Sequence, residues 1–220
     1  MFIGHHFIQK LWFPKRFMIF FILLLCGNRL VFITGIPRSG STLVYNTCRL
    51  ALQKKGKLKW AGWINDCRLS LSFGKIYLLK IHHYDALIAM LPGIYIHSTR
   101  NIIEVASSLT IKEGLPPISI IEKILVDDHK WKKRRHVLIN YNDIENDEAW
   151  QNNIWEILKV DHTLADKINR ELQSLHSPDQ DQEVDPITQL HYNHKTGGGK
   201  NWKHVLKEDY IEKIKALMHD

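Results

Sequence analysis

The sequence predicts an α/β fold in which a central, mainly parallel sheet is flanked by helices. Short apolar runs alternate along the chain with longer segments whose apolar residues recur at helical spacing. One run, Leu30–Thr34, is apolar at consecutive positions, which is typical of a strand buried on both faces. The composition, 45% hydrophobic and 24% charged, belongs to a globular chain and excludes a disordered one.

Four strands are predicted from apolar runs that end at glycine or at polar residues. Strands that alternate with helical segments form parallel sheets, because each return to the sheet needs a crossover connection. In chain order the strands are Leu30–Thr34, Lys75–His82, Gly93–Ser98 and Val137–Tyr141.

Helices are predicted where apolar residues fall on one face. In the segment that follows the third strand, Ile102, Val105, Ala106 and Leu109 form one apolar stripe. Residues 177–186 contain two prolines and several Asp and Gln, and we interpret them as a loop or insert. The predicted helices are Ser41–Gln53, Asn101–Ile111, Ser119–Lys130, Glu148–Leu158, Asp161–Leu175 and Glu208–Met218.

We predict one domain over residues 29–220, preceded by a hydrophobic and basic N-terminal extension over residues 1–28. The apolar run Phe17–Cys26 is shorter than the roughly 20 residues that a membrane-spanning helix needs, but it matches the apolar part of a signal peptide. Three explanations of residues 1–28 stay open: a signal peptide, a membrane anchor, and an over-long gene start with Met18 as the true initiator. We favour an uncleaved extension that can associate with a membrane.

The charge and the cysteines give weaker constraints. A formal net charge of +7 favours an anionic partner, although it does not separate nucleic acid, membrane and phosphorylated ligands. Three cysteines with no metal-binding spacing, together with the absence of a glycosylation sequon, favour a cytoplasmic protein.

A glycine-spaced turn joins the first strand to the first helix. Gly35 and Gly40 occupy the two fixed glycine positions of a phosphate-binding loop, and Thr42 follows at its end. Such a loop points its backbone N–H groups inward and adds the positive end of a helix dipole. Ser41 stands where an ATPase or GTPase has its phosphate-gripping lysine, and the cation is instead Arg38, inside the loop. The pattern predicts a three-layer fold of the P-loop type that binds a nucleotide 5′-phosphate.

The run Pro37–Leu43 resembles the 5′-phosphosulfate-binding loop of sulfotransferases that use 3′-phosphoadenosine 5′-phosphosulfate (PAPS). The resemblance implies that Arg38, Ser39, Gly40, Ser41 and Thr42 contact the donor nucleotide. Many members of the family have lysine at the position of Arg38, and the resemblance implies that this cation also takes part in catalysis.

Three later segments resemble further motifs of the same family, in the same order. Arg100 and Ser108 match an arginine at a strand end and a serine eight residues on, which implies that they bind the 3′-phosphate of the nucleotide. Both side chains suit a phosphate monoester. Tyr141 falls where the family often has a nucleotide-contacting tyrosine. Near the C-terminus, the resemblance implies contacts to the 3′-phosphate from Lys195, Thr196 and Gly197.

The segment Leu79–His82 resembles the Lys-x-His at the end of the family's catalytic strand. Alternate residues of a strand point to the same face, so Lys80 and His82 can converge on one reacting group. The resemblance implies that His82 is the base and that Lys80 stabilises charge on the transferred group. His83 lies next to it, and the sequence leaves open which histidine is the base.

The resemblance spans about residues 30–206 and implies sulfuryl transfer from PAPS to a hydroxyl or amine of a small molecule or carbohydrate. It implies adenosine 3′,5′-bisphosphate as the second product, with no metal and no nucleic acid involved. Two alternatives stay open. One is a nucleotide kinase or phosphohydrolase. The other is a non-catalytic module that binds nucleotide or nucleic acid, for which the basic run Lys130–Arg135 is an argument, although a solvated helix end explains that run equally well.

Overall fold

In the computed structural model, the described residues form a five-stranded, parallel sheet with helices on both faces. The structure describes residues 20–25, 29–67, 74–146, 148–175, 184–190 and 202–219. The strand order is β2-β3-β1-β4-β5, so β1 lies in the centre. The strands are β1 (Leu30–Gly35), β2 (Leu58–Trp63), β3 (Ile76–Ile81), β4 (Ile94–Thr99) and β5 (Val137–Asn140).

Helices connect and cover these strands. Short 3₁₀ turns at Ile64–Asp66 and Glu148–Gln151 complete the described elements. The helices are α1 (Ser41–Lys54), α2 (Ala86–Ala89), α3 (Ile102–Glu113), α4 (Ile118–Arg134), α5 (Tyr141–Asn146), α6 (Asn152–Leu158), α7 (His162–Gln173), α8 (Trp202–Val205) and α9 (Glu208–His219). The predicted α/β class and parallel sheet are confirmed.

Residues of β1 alternate between two buried faces of the sheet. Val31 and Ile33 belong to an apolar cluster with residues of α1, α6 and α7. Leu30 and Phe32 belong to the cluster on the opposite face, which includes Trp131 of α4. This period of two, with both faces covered, explains why the run is apolar at every position.

Strand β2 was missing from the sequence prediction, which was therefore wrong in counting four strands. β2 is an edge strand, and five of its six residues are exposed or only partly buried. Lys59 and Gly62 interrupt its apolar pattern, so nothing in the local sequence marks it as a strand. Tyr141 is also corrected, since it opens α5 and does not end β5.

Part of the N-terminal extension contacts the domain. Residues 20–25 are helical, and the side chain of Leu23 is fully buried in the apolar cluster that includes Leu30 and Phe32. Within the described ranges, no helix has the length and apolar character needed to cross a bilayer. The rest of the run Phe17–Cys26 lies outside the described part of the chain, which leaves out residues 1–19 and 26–28. The boundary predicted at residue 28 lies outside it as well.

Candidate functional site

The candidate site lies at the carboxyl edge of the sheet, where β3, β1 and β4 end side by side. After β1 the chain crosses to β2 on one side, and after β4 it crosses to β5 on the other side. The crevice between β1 and β4 is therefore the point at which the connections reverse direction, which is where parallel α/β sheets bind ligands.

The loop of residues 36–40 leaves this edge in the conformation expected of a phosphate-binding turn. Arg38 and Gly40 have φ values of 63° and 79°, in the left-handed region. Any side chain at Gly35 would place its Cβ 2.2 Å from the Ser98 hydroxyl oxygen of the neighbouring strand, so only glycine allows this approach. The loop leads into the first turn of α1, whose backbone N–H groups have no partner four residues earlier. These groups can receive an anion.

The hydroxyl of Ser39 is used inside the loop. It is fully buried, lies 2.6 Å from the carbonyl oxygen of Ile36, to which it donates, and 2.8 Å from the Ser98 hydroxyl. In this geometry the Ser39 side chain stabilises the conformation of the loop. A contact between Ser39 and a nucleotide stays a prediction.

Lys80 lies at the carboxyl end of β3 and is almost completely buried, with 2% of its surface exposed. Its Nζ donates to Oγ1 of Thr42 over 2.8 Å. The ammonium also lies 4.7 Å from the centre of the Trp63 ring and 5.8 Å from that of Tyr45. Burial lowers the pKa of Lys80 to about 7, because the charged form loses its hydration. Aromatic faces and one hydroxyl are its described neighbours, and none of them is a carboxylate.

The two neighbouring histidines have different surroundings. The Nδ1 of His82 lies 2.5 Å from the carbonyl oxygen of Gly35, and its ring meets the Trp63 ring at 4.9 Å in an edge-on contact. Because a carbonyl only accepts, Nδ1 carries the proton and Nε2 is left as the basic nitrogen. The Nδ1 of His83 instead lies 3.4 Å from a carboxylate oxygen of Asp127 in α4. His82 is therefore the histidine that contacts the loop.

On the other side of β1, Arg100 follows β4 directly. Its Nε donates to Glu104 over 2.9 Å, and a second nitrogen donates to the backbone carbonyl of Arg38 over 3.2 Å. The guanidinium stacks on the ring of Tyr141 at 3.8 Å. The loop, the start of α3 and the start of α5 are thus joined by one side chain.

Arg38 points toward this same side of β1. Its Nε donates to the hydroxyl of Ser108 over 2.9 Å, although the two residues are 70 positions apart. Burial, followed by the nearby charge of Arg100, lowers the pKa of Arg38. Two guanidinium groups close together repel each other, and an anion with two negative charges would relieve that repulsion.

Of the residues proposed from sequence, the structure groups Lys80, His82 and Thr42 on the β3 side. It groups Arg38, Arg100, Ser108 and Tyr141 on the β4 side. Lys195, Thr196 and Gly197 lie outside the described residues. Two residues were not assigned a role from sequence, and both depend on tertiary contacts: Trp63, which touches Lys80 and His82, and Glu104, which holds Arg100. Over the described residues, no cluster of three His, Cys, Asp or Glu side chains could hold a metal.

Two solved structures share this fold over most of both chains. One is retinol dehydratase in a complex with retinol and PAP, and it covers 88% of this chain and 81% of its own at a TM-score of 0.53 and 12% identity. The other is retinol dehydratase in complex with androsterone and the inactive cofactor PAP, with 87% and 80% coverage at a TM-score of 0.53 and 12% identity. At this identity the likeness shows the fold. No protein-family model and no curated protein matches the sequence.

Proposed function

We propose that this protein transfers a sulfuryl group from PAPS to a hydroxyl or amine acceptor. The observation that carries the proposal is the pairing of two unlike groups of side chains around one phosphate-binding loop. On one side of β1 lie a buried lysine and a histidine with a fixed tautomer. On the other side lie two arginines and a serine. The retinol dehydratase structures of the same fold contain PAP, the nucleotide that remains when PAPS has lost its sulfuryl group.

The donor set fits a nucleotide that carries phosphate at both its 5′ and 3′ positions. The first-turn N–H groups of α1, at Ser41 and Thr42, would hold the 5′-phosphate together with Gly40. Arg100 and Ser108 would hold the 3′-phosphate, since a guanidinium fork and a hydroxyl both suit a phosphate monoester. Tyr141, already stacked on Arg100, is close enough to that site to contact the nucleotide. Lys195, Thr196 and Gly197 would complete the 3′-phosphate contacts, as the sequence resemblance implies.

The chemistry assigned to the β3 side is an in-line displacement. Nε2 of His82 would take the proton of the acceptor O–H while the acceptor oxygen forms its bond to sulfur. The bond between sulfur and the bridging oxygen breaks, and its electron pair stays on that oxygen as part of the departing 5′-phosphate. Lys80, through its ammonium, would stabilise this developing charge in a site shielded from water.

The sequence resemblance also implies that Arg38 neutralises the charge that builds on the bridging oxygen of PAPS. In the structure its guanidinium is hydrogen-bonded to Ser108 on the β4 side. The catalytic part of its role therefore requires the side chain to exchange Ser108 for the nucleotide, while a role in binding phosphate needs no such movement.

The acceptor is proposed as a class, a hydroxyl or amine on a small molecule or carbohydrate. The two retinol dehydratase structures contain retinol and androsterone, both of which are small alcohols. We also propose a cytoplasmic location, with membrane association through the N-terminal run Phe17–Cys26. The thiols of Cys48 and Cys67 support the location, since disulfides are rare in proteins from a reducing compartment.

Transfer of labelled sulfate from PAPS tests the proposal. The wild-type chain, incubated with ³⁵S-labelled PAPS and a panel of alcohols, phenols, amines and sugars, should label at least one class of acceptor. ATP labelled on its γ-phosphate serves as the control and should transfer nothing. A chain that binds and turns over labelled ATP in a magnesium-dependent reaction, without turnover of PAPS, would favour the kinase alternative instead.

A further inference from the structure

Trp63 is the last residue of β2 and lies in register with Lys80 on the neighbouring strand β3. Paired residues of adjacent strands direct their side chains to the same face of the sheet. The indole ring accordingly meets the Lys80 ammonium, 4.7 Å from the ring centre, and the ring of His82, at 4.9 Å and 72°. One side chain therefore contacts both residues to which the proposed chemistry is assigned.

A second tryptophan on the same strand, Trp60, has the apolar packing that is usual for a tryptophan side chain. Among the described residues, Trp60 packs against the buried apolar cluster on one face of the sheet, whereas Trp63 belongs to none of the three apolar clusters. Trp63 remains partly exposed. The described contacts of Trp63 are thus with a cation and an aromatic ring at the site. Its removal should therefore leave the three apolar clusters intact.

We infer that Trp63 is a positioning residue for sulfuryl transfer, which holds Lys80 as an ammonium ion and fixes the ring of His82. This inference rests on the proposed function. The face of an indole attracts a cation, and the attraction is stronger where the cation is shielded from water. Lys80 needs such a contact, because its described surroundings provide a hydroxyl and no carboxylate. The edge-on contact restricts rotation of the His82 ring, which the carbonyl of Gly35 also holds.

The groups that face Lys80 come from three elements. α1 contributes Thr42 and Tyr45, β2 contributes Trp63, and β1 contributes Ile33 in register with Lys80. Of these, Tyr45 titrates, and burial raises its pKa to about 12, so it stays neutral through the range in which Lys80 changes charge. His82, which follows β3, is the base in the proposed chemistry and must be neutral to act, so its protonation affects the acidic side of the profile. A change at the alkaline side of the pH profile can therefore be assigned to Lys80.

The test compares Trp63→Leu and Trp63→Phe with the matched control Trp60→Leu on the same strand. Two probes avoid the need for an identified acceptor: calorimetry with PAP, and release of PAP from PAPS with water as the acceptor. We expect Trp63→Leu to lower kcat by between about 3-fold and 30-fold, the range given by a partly to fully shielded cation–π contact. The alkaline limb of kcat/KM for PAPS, which lies near the Lys80 pKa of about 7, should move to lower pH. Trp63→Phe, with a weaker ring quadrupole, should give a smaller shift in the same direction.

The control separates a positioning role from a structural one. Trp60→Leu should lower the thermal midpoint and leave the pH limb where the wild type has it. If both Trp63 variants keep the wild-type limb and lose activity only in proportion to their folded fraction, the inference is wrong. A wild-type chain that binds no PAP and releases none from PAPS overturns the proposed function itself, a result that does not depend on any Trp63 variant.

Discussion

The cations on the two sides of strand β1 have different surroundings. On the β3 side, defined by Lys80, His82, Trp63 and Thr42, one cation is buried among aromatic rings and a hydroxyl. On the β4 side, defined by Arg38, Arg100, Ser108, Glu104 and Tyr141, two cations lie close together, and one of them, Arg100, is paired with a carboxylate.

The difference indicates that the two sides have different roles toward an anionic ligand. A cation that is buried without a counter-ion loses hydration, and it gains most when negative charge develops beside it. Arginines that are held in a fixed fork lose little conformational freedom when they bind a phosphate. The β3 side is therefore suited to a charge that appears during a reaction, and the β4 side to a charge that is present in the ground state.

The largest effect should come from removing the base on the β3 side. His82→Ala should reduce kcat for sulfuryl transfer by about 10²–10⁴-fold, the usual contribution of a general base. The affinity for PAP, measured by calorimetry, should stay within about threefold of wild type, because Arg100 and Ser108 are unchanged. His83→Ala is the matched control, since the described hydrogen bonds of its ring are with Asp127 and Lys123 of α4. Equal losses in the two variants would contradict the assignment of His82.

On the β4 side the corresponding change should act on binding. Arg100→Ala removes charge-assisted hydrogen bonds worth about 1.5–3 kcal/mol each, so PAP should bind about 10- to 100-fold more weakly. Arg100→Lys keeps the charge and loses the fork, and its affinity should lie between the two. Adenosine 5′-phosphate, which lacks the 3′-phosphate, should bind wild type and Arg100→Ala with similar affinity. A similar loss for both nucleotides would mean that Arg100 supports the loop instead of the 3′-phosphate.

The pH dependence of PAP binding should report on Lys80. Its pKa is lowered to about 7 in the empty site, and a bound anion should raise it again. Binding above pH 7 must then take up a proton, so the affinity for PAP should fall as the pH rises, by at most about tenfold per pH unit. Calorimetry in two buffers of different ionisation enthalpy measures the proton uptake. Lys80→Met should show no uptake from this source, and an unchanged uptake in that variant would refute the assignment.

The same shift affects stability in the empty protein. The folded-state pKa of Lys80 lies below its ordinary value of 10.5, so the unfolded chain holds this proton more tightly. Stability should therefore increase as the pH rises from about 7 toward 10.5, since the folded state no longer has to bury a charge. Lys80→Met should remove that part of the pH dependence, which chemical denaturation at pH 7 and pH 9.5 can check.

The smallest effect should come from Ser108→Ala. The variant loses one hydrogen bond, worth about 0.5–1.5 kcal/mol, and PAP should bind about 2- to 10-fold more weakly. The unpaired Arg38 guanidinium remains near Arg100 with other donors available. Ser107→Ala, at the neighbouring buried serine of α3, is the control and should leave PAP affinity unchanged. If Ser108→Ala binds PAP as well as wild type does, the β4 side does not use this hydroxyl.

The features that could be predicted from the sequence are local. The loop between Gly35 and Gly40 follows from glycine spacing next to an apolar run. Strand β3, observed over Ile76–Ile81, lies within the predicted range Lys75–His82 and is one residue shorter at each end. Parallel strands end at one edge, so the predicted strand order along the chain was enough to bring their terminal residues to the same end of the sheet.

The features that could not be predicted depend on partners distant in sequence. The contact of Arg38 with Ser108 joins residues 70 positions apart, and nothing local directs that side chain away from the centre of the loop. The contacts of Trp63 require a strand that its own sequence does not reveal. Trp131 lies inside the basic run Lys130–Arg135, for which a nucleic-acid-binding surface and a solvated helix end were both open. It is fully buried, because the helical period turns it inward while its charged neighbours face water.

Calorimetry with three nucleotides tests the central claim most directly. PAP, adenosine 5′-phosphate and ATP with magnesium differ in the 3′-phosphate, which the β4 side is proposed to bind, and in the γ-phosphate, for which the loop has no lysine. We predict that PAP binds at least about tenfold more tightly than either of the others, as loss of one charge-assisted hydrogen bond would require. Equal affinity for PAP and adenosine 5′-phosphate, or tighter binding of ATP, would contradict the claim.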